Sequence, residues 1–191
     1  IFIIRYPRAY RAVMSIFYDL ILLDDDIKKL IESGDYTIIR SSKKVLIATC
    51  FEFYPFPSFD NFILTQEILD KFEKLKLPNG AVGVHIRRTD HTEIIAESGV
   101  AEFEKKMNSL PNSVFYLATD DYKVKAYLAK EYENRIITQN AELSRNSLNG
   151  IQEALVDVLA LSKCEMIICN LKSSFADTAL RMGNKKVLIE V

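Results

Sequence analysis

Gly83-Val84-His85-Ile86-Arg87-Arg88-Thr89-Asp90 is the stretch around which the chain is organised. An apolar run, Ala81 to Arg87, predicts a strand leaving a core. It ends in two adjacent arginines, with a histidine two residues before the first and an acid two residues after the second. Two guanidinium groups side by side suit a pyrophosphate, because each can donate two parallel hydrogen bonds to phosphate oxygens. The same pattern also fits a strand that ends in solvated arginines paired with Asp90, so the neighbours must decide.

Downstream the pattern is regular. Strands are predicted at Ala81 to Arg87, Val114 to Ala118, Arg135 to Thr138, Met166 to Cys169 and Lys186 to Glu190. Helices are predicted between them at Val100 to Ser109, Tyr122 to Tyr132, Gly150 to Ser162 and Phe175 to Met182. This alternation implies a parallel α/β sheet with helices on both faces, a Rossmann-like domain. No Gly-x-Gly-x-x-Gly follows the first strand, so the usual dinucleotide fingerprint is missing.

Ligands of such sheets bind beyond the carboxyl ends of the strands. Arg87-Arg88, Thr119-Asp120-Asp121, the polar loop Asn140 to Asn149 and Ser173-Ser174 all fall at that end. Random surface residues would divide between both ends. Ser173-Ser174 opens a helix, where free N–H groups and hydroxyls can receive an anion or simply cap the helix. Opposite an arginine pair, phosphate is the expectation. One or more of Thr119, Asp120 and Asp121 should cap the next helix. Asp157 sits at the border of the stripe Ile151, Ala154, Leu155, Val158 and Leu159. A mid-helix acid there needs either a lysine or arginine, or a donor-rich ligand group such as a base edge.

The first eighty residues are less regular. Ile1 to Tyr6 predicts a short strand, stopped by Pro7, and Tyr10 to Leu23 a helix carrying Val13, Phe17, Leu20 and Ile21. Asp24-Asp25-Asp26 suits the start of a helix Ile27 to Ser33 better than a metal, with Gly34 at its end. Tyr36 to Arg40 and Val45 to Thr49 suggest a hairpin. The aromatic loop Phe51 to Phe62 would lie over an interdomain cleft. Thr65 would cap a helix to about Lys76, and the turn Leu77 to Gly80 would divide a partial N-terminal α/β region, 1–79, from the C-terminal sheet domain, 80–191.

Composition narrows the function. The 191 residues are 49% hydrophobic and 27% charged with net charge −1, which suits a real core and gives no basis for bulk nucleic-acid binding. Three cysteines, Cys50, Cys164 and Cys169, do not form a disulfide framework, and the last two read as core filler. Two histidines and no Cys-x-x-Cys pair make a protein-built zinc site an unlikely design. No apolar run reaches the roughly 18 to 20 residues that span a bilayer, and no signal peptide is visible. The chain begins at Ile1 rather than methionine, which leaves room for a preceding segment.

Four blocks in order, His85 to Asp90, Phe115 to Asp121, Ser144-Arg145-Asn146-Ser147 through Gly150-Ile151, Ala154 to Asp157 and Leu161-Ser162, then Ser173-Ser174-Phe175, resemble the α1,6-fucosyltransferase and NodZ-like superfamily, especially its bacterial members. The likeness covers Ala81 to Val191. The glycine-rich block usual near the start of such enzymes is not here, which points to a fragment. The resemblance implies a GT-B glycosyltransferase that takes GDP-fucose as donor, transfers fucose with inversion to a glycan acceptor, and needs no metal or other cofactor. It implies a cytoplasmic enzyme, free or peripheral to the membrane, with no membrane span.

Carried over residue by residue, the resemblance makes Arg87 the group that holds the β-phosphate and stabilises departing GDP, with Arg88 in support. His85 and Asp157 would read guanine, a carboxylate being able to accept from its N1–H and N2–H edge. Ser173, Ser174 and the Phe175 amide would receive phosphate oxygens. Asp90, Asp120 and Asp121 complete the donor-binding set. After Asp90 the chain departs from the family pattern: His91 stands where a lysine is usual, and Ile95 where a glutamate serves as base. Glu93, Glu97 and His91 are the candidates left for that role.

Overall fold

A computed structural model describes residues 6–52, 59, 62–88, 99–140, 142, 144, 146–171, 173–183 and 188–191. The chain divides into two compact units, Ile1–Pro57 and Ser58–Val191. The expected strand at Ile1 to Tyr6 and most of the aromatic loop at Phe51 to Phe62 lie outside the described residues.

The first unit holds α1 (Pro7–Met14), β1 (Leu20–Leu23), α2 (Asp24–Ser33), α3 (Thr37–Ser41) and β2 (Val45–Ala48). The helix expected over Tyr10 to Leu23 stops at Met14, and Leu20–Leu23 is a strand whose last three residues are buried. Four consecutive apolar residues are better satisfied by a strand covered on both faces than by one stripe of a helix. The expected hairpin is also replaced. Thr37–Ser41 is a short helix, begun where the Thr37 N–H donates to Asp35 Oδ1 at 2.9 Å, and β2 pairs in parallel with β1. The local cap outweighs the β propensity of Ile38-Ile39.

Asp26 starts α2 by accepting the Leu23 N–H at 2.9 Å and an Arg11 guanidinium hydrogen at 2.6 Å. Asp24 accepts the Thr49 hydroxyl at 2.7 Å. Gly34 ends the helix with φ 66°, the left-handed conformation that glycine adopts without strain.

The second unit begins with α4 (Gln66–Glu73) and then alternates: β3 (Val82–Ile86), α5 (Val100–Asn108), β4 (Phe115–Thr119), α6 (Tyr122–Tyr132), β5 (Ile136–Ile137), α7 (Leu148–Lys163), β6 (Met166–Cys169), α8 (Ser174–Gly183) and β7 (Leu188–Glu190). The sheet order is β5-β4-β3-β6-β7, and every pair is parallel. This is the expected Rossmann-like α/β domain. The order reverses between β4 and β6, which flank β3, and the crevice at that reversal is where such sheets take ligands.

Strand alternation sends side chains to two separate cores. Val82, Val84, Ile86, Phe115, Leu117 and Ile168 pack against α5 and α6 through Phe103, Met107, Val124 and Leu128. Tyr116, Ala118, Ile167 and Cys169 pack against α7 and α8 through Val158, Leu161, Ala176 and Ala179. Cys164 and Cys169 are fully buried there, as core filler. Gly83 belongs to the second face, and a Cβ on it would meet Leu161 Cδ2 at 2.7 Å, so the missing side chain lets α7 lie close on β3.

Helix α7 is rotated from its expected orientation. Ile151, Ala154 and Leu155 are exposed, not buried. Asp157 and Leu161 turn toward the sheet, while Val156 and Leu159 pack with Ile68 of α4. The reason is polar: Asp157 finds its hydrogen-bond donors on the sheet side, and a part-buried carboxylate is costly without them. Because α4 packs on α7, it belongs to the same compact unit as the sheet, Ser58–Val191.

Gly150, in the first turn of α7, allows another close approach: a Cβ there would sit 1.9 Å from the Ser144 carbonyl oxygen. Alanine would gain up to about 1 kcal/mol of helix propensity, but backbone displacement costs about 1–3 kcal/mol. Gly150→Ala should therefore unfold at a lower temperature than the parent chain in a thermal melt; a higher melting temperature would contradict this packing.

Candidate nucleotide site at the sheet reversal

The site is built at the end of β3. The Arg87 main-chain N–H donates to Asn170 Oδ1 at 2.6 Å, and the Arg88 N–H donates to Asp120 Oδ1 at 2.7 Å. Asn170 follows β6 and Asp120 follows β4. The strands on either side of β3 therefore each send one side chain to fix an arginine backbone. The local sequence makes this possible: β3 stops being paired after Ile86, so the next two amides need other acceptors. Arg87 and Arg88 are half-buried at this point.

Asn170 was not among the sequence candidates. Its signal in the sequence was weak but present, as the first polar residue after an apolar strand; in the structure it is 1% exposed. A buried side chain of this kind needs partners, and the arginine amide supplies one.

Thr119, Asp120 and Asp121 divide their labour. Asp121 caps α6, accepting from the Lys123 and Val124 amides at 2.7 and 3.3 Å. Thr119 Oγ1 accepts the Asp121 N–H at 3.2 Å, and Asp120 is turned to Arg88. The capping expectation thus falls on Asp121.

His85, the fourth residue of β3, lies on the α7–α8 side. Its Nδ1 is 2.9 Å from Ser173 Oγ, and its ring stacks on Phe175, with centroids 4.7 Å apart and an interplanar angle of 16°. Ser173 is buried and accepts the Ala176 N–H at 3.2 Å as the cap of α8. Its hydroxyl is thus occupied within the protein. Ser174, the first residue of α8, is exposed. The α8 N-terminus faces the arginine end of β3, since its first residues touch His85.

Asp157 lies deeper, beneath β4. Its Oδ1 accepts from the Tyr116 hydroxyl at 2.6 Å and from Gln139 Nε2 at 2.5 Å. Neither donor is the lysine, arginine or ligand group that the sequence suggested. Gln139 also donates to the Glu153 carbonyl oxygen at 2.9 Å, and its own carbonyl accepts Lys125 Nζ at 3.0 Å. Burial raises the Asp157 carboxyl above its usual range, against the opposing pull of the two hydrogen bonds and Lys125. The second site candidates after Arg88, Asp90, His91, Glu93 and Glu97, lie outside the described residues.

Comparison with known proteins gives the fold a precedent. No family model matches the chain, and no curated protein sequence matches it. Solved structures do. NodZ α-1,6-fucosyltransferase co-crystallised with GDP superposes with a TM-score of 0.62 at 18% identity, covering 83% of this chain and 57% of that one. NodZ soaked with GDP-fucose gives 0.58 at 18% identity, covering 93% and 65%. NodZ from Bradyrhizobium gives 0.57 at 17% identity, covering 83% and 60%. The chain therefore spans less than two thirds of the length of these enzymes and shares their fold.

Electrostatics give this site a measurable signature. Burial lowers the His85 pKa from 6.5 to about 4, Arg87 pushes the same way, and Asp120 pulls against them. The unfolded chain binds a proton on His85 between these values and the folded chain does not, so stability falls as pH drops from about 6.5 toward 4. Asp157 acts in the opposite direction, since a raised carboxyl binds its proton earlier in the folded state. Urea unfolding of wild type and His85→Asn at pH 7 and pH 5 isolates the histidine. Wild type should lose about 2 kcal/mol more than the variant, from about 1.4 kcal/mol per pH unit; equal losses would mean that His85 is not held neutral.

Proposed function

We propose that this chain carries the nucleotide-sugar side of an inverting glycosyltransferase, which transfers fucose from GDP-fucose to a glycan acceptor. The observation that carries the proposal is the fixing of two adjacent arginine amides by Asn170 and Asp120, at the sheet reversal and beside the N-terminus of α8. Such an arrangement suits a diphosphate, because the guanidinium groups are permanently charged and their backbone is preorganised.

In this mechanism an acceptor hydroxyl attacks the anomeric carbon of fucose as the bond to the β-phosphate oxygen breaks. The bonding electrons leave with GDP, and Arg87 stabilises the charge that develops there, with Arg88 in support. Ser174 and the Phe175 amide receive phosphate oxygens, and His85 contacts the base. Glu93, Glu97 or His91 takes the acceptor proton. Arginine charge does the work that a bound metal does in other transferases, so no metal is required. The enzyme would act in the cytoplasm, free or at a membrane face. Among the described residues, no helix is long and apolar enough to cross a membrane.

A second reading, the same reaction with another nucleotide sugar, is favoured by one observation. Asp157 Oδ1 already accepts two protein hydrogen bonds, which fills the two lone pairs that a carboxylate oxygen offers. A two-oxygen grip on the guanine edge would require one of these bonds to give way.

Calorimetric titration with GDP, UDP and ADP tests both. GDP should bind most tightly, and Arg87→Ala should weaken it about 10- to 100-fold, the worth of a hydrogen bond to a charged group, and abolish transfer without loss of fold. Absence of GDP binding, or an unchanged Arg87→Ala, would defeat the proposal. A preference for UDP or ADP would favour the second reading.

A further inference from the structure

We propose that Ser173 is a positioning residue for His85: its hydroxyl hydrogen goes to Nδ1, which fixes the imidazole as the Nε2–H tautomer and turns His85 into a hydrogen-bond donor toward the ligand. Only the identity of the ligand rests on the function proposed above.

The hydrogen count decides the direction of this bond. Ser173 Oγ accepts from the Ala176 N–H at 3.2 Å and lies 2.9 Å from His85 Nδ1. Among the described residues its hydroxyl has no other partner, so its hydrogen has one acceptor within reach, Nδ1. If Nδ1 instead carried a proton, the oxygen would accept twice and a buried hydroxyl hydrogen would be left without an acceptor, which is costly. With Nδ1 as acceptor, the proton of a neutral imidazole must sit on Nε2.

Nε2 has no hydrogen-bond partner among the described residues, yet no buried side-chain nitrogen or oxygen there lacks one. Its N–H is therefore the group that this ring has left for a ligand. Stacking on Phe175 fixes the plane of the ring, and Ser173 fixes its rotation within that plane. A donor held so tightly suits an acceptor oxygen, either a base carbonyl or a phosphate.

The surroundings keep the ring neutral. Among the described residues, the charged groups that act on it are Arg87 from its own strand and Asp120 from beyond β4. Its register partner on β6 is Cys169, whose thiol burial pushes up to about 12, and its partner on β4 is Ala118. At the start of α8, the cap residue Ser173 and Phe175 contact the ring.

Long-range proton–nitrogen NMR of nitrogen-labelled protein reads the tautomer directly. The chain has two histidines, so His91→Gln leaves His85 alone. The expected result is the Nε2–H form in the unliganded protein, and the Nδ1–H form would overturn the proposal without reference to any ligand. Ser173→Gly removes the hydroxyl while keeping a residue tolerated at helix caps; it should give a mixture of tautomers, and Ser173→Thr should restore the single form. A single unchanged Nε2–H form in Ser173→Gly would also overturn it. In calorimetry GDP should bind Ser173→Gly about tenfold more weakly and Ser173→Thr normally. Separate titrations with guanosine and pyrophosphate show which oxygen the donor meets by which one shifts the His85 resonance. If wild type binds no GDP, the functional proposal fails while the tautomer result stands. If GDP binds but leaves the His85 resonance unmoved, the donor role and the base contact given to His85 are wrong, while the arginine-held diphosphate site survives.

Discussion

Strand β3 is buried on both faces and hydrogen-bonded along both edges, and the site depends on that constraint. A strand so enclosed has no freedom in register, because a slip of one residue would carry Val84 and Ile86 out of one core and His85 into it. The residues that follow Ile86 therefore emerge at one place and in one direction. Their amides no longer have a ladder, and Asn170 and Asp120 take over from β6 and β4. A rigid strand end with side-chain-held amides is the kind of support that a preorganised charge site needs.

The two polar networks near this strand have different characters. His85, Ser173 and Phe175 form a small cluster in which each group constrains the next. Asp157, Tyr116, Gln139 and Lys125 form a larger one, joined through Asp157 Oδ1 and the Gln139 main-chain carbonyl. The second stabilises a buried carboxylate and fixes the rotation of α7, at the expense of exposing Ile151 and Leu155.

The likeness to NodZ extends over most of the chain but at an identity that supports the fold alone. What links fold to function here is local: charge, hydrogen-bond count and burial at one sheet end. A shared fold hosts many reactions, so the chemistry has to be argued from the site.

The sequence alone determined the sheet domain, because strand and helix periods alternate without ambiguity from Ala81 onward and the polar residues collect at one end of the strands. It also located Asp121 as part of a capping group and the buried role of Cys164 and Cys169. It misjudged Leu20 to Leu23 and Tyr36 to Arg40, where short apolar runs suit either period and only pairing with a distant strand decides. It missed Asn170, and it placed Asp157 at the edge of a stripe of which Ile151, Ala154 and Leu155 in fact face outward. Those outcomes depend on where donors lie across the fold: Asp157 follows Tyr116 and Gln139, and Asn170 follows the end of β3. Periodicity reports which face of an element is apolar, whereas hydrogen-bond partners distant in sequence become neighbours only once the sheet has formed.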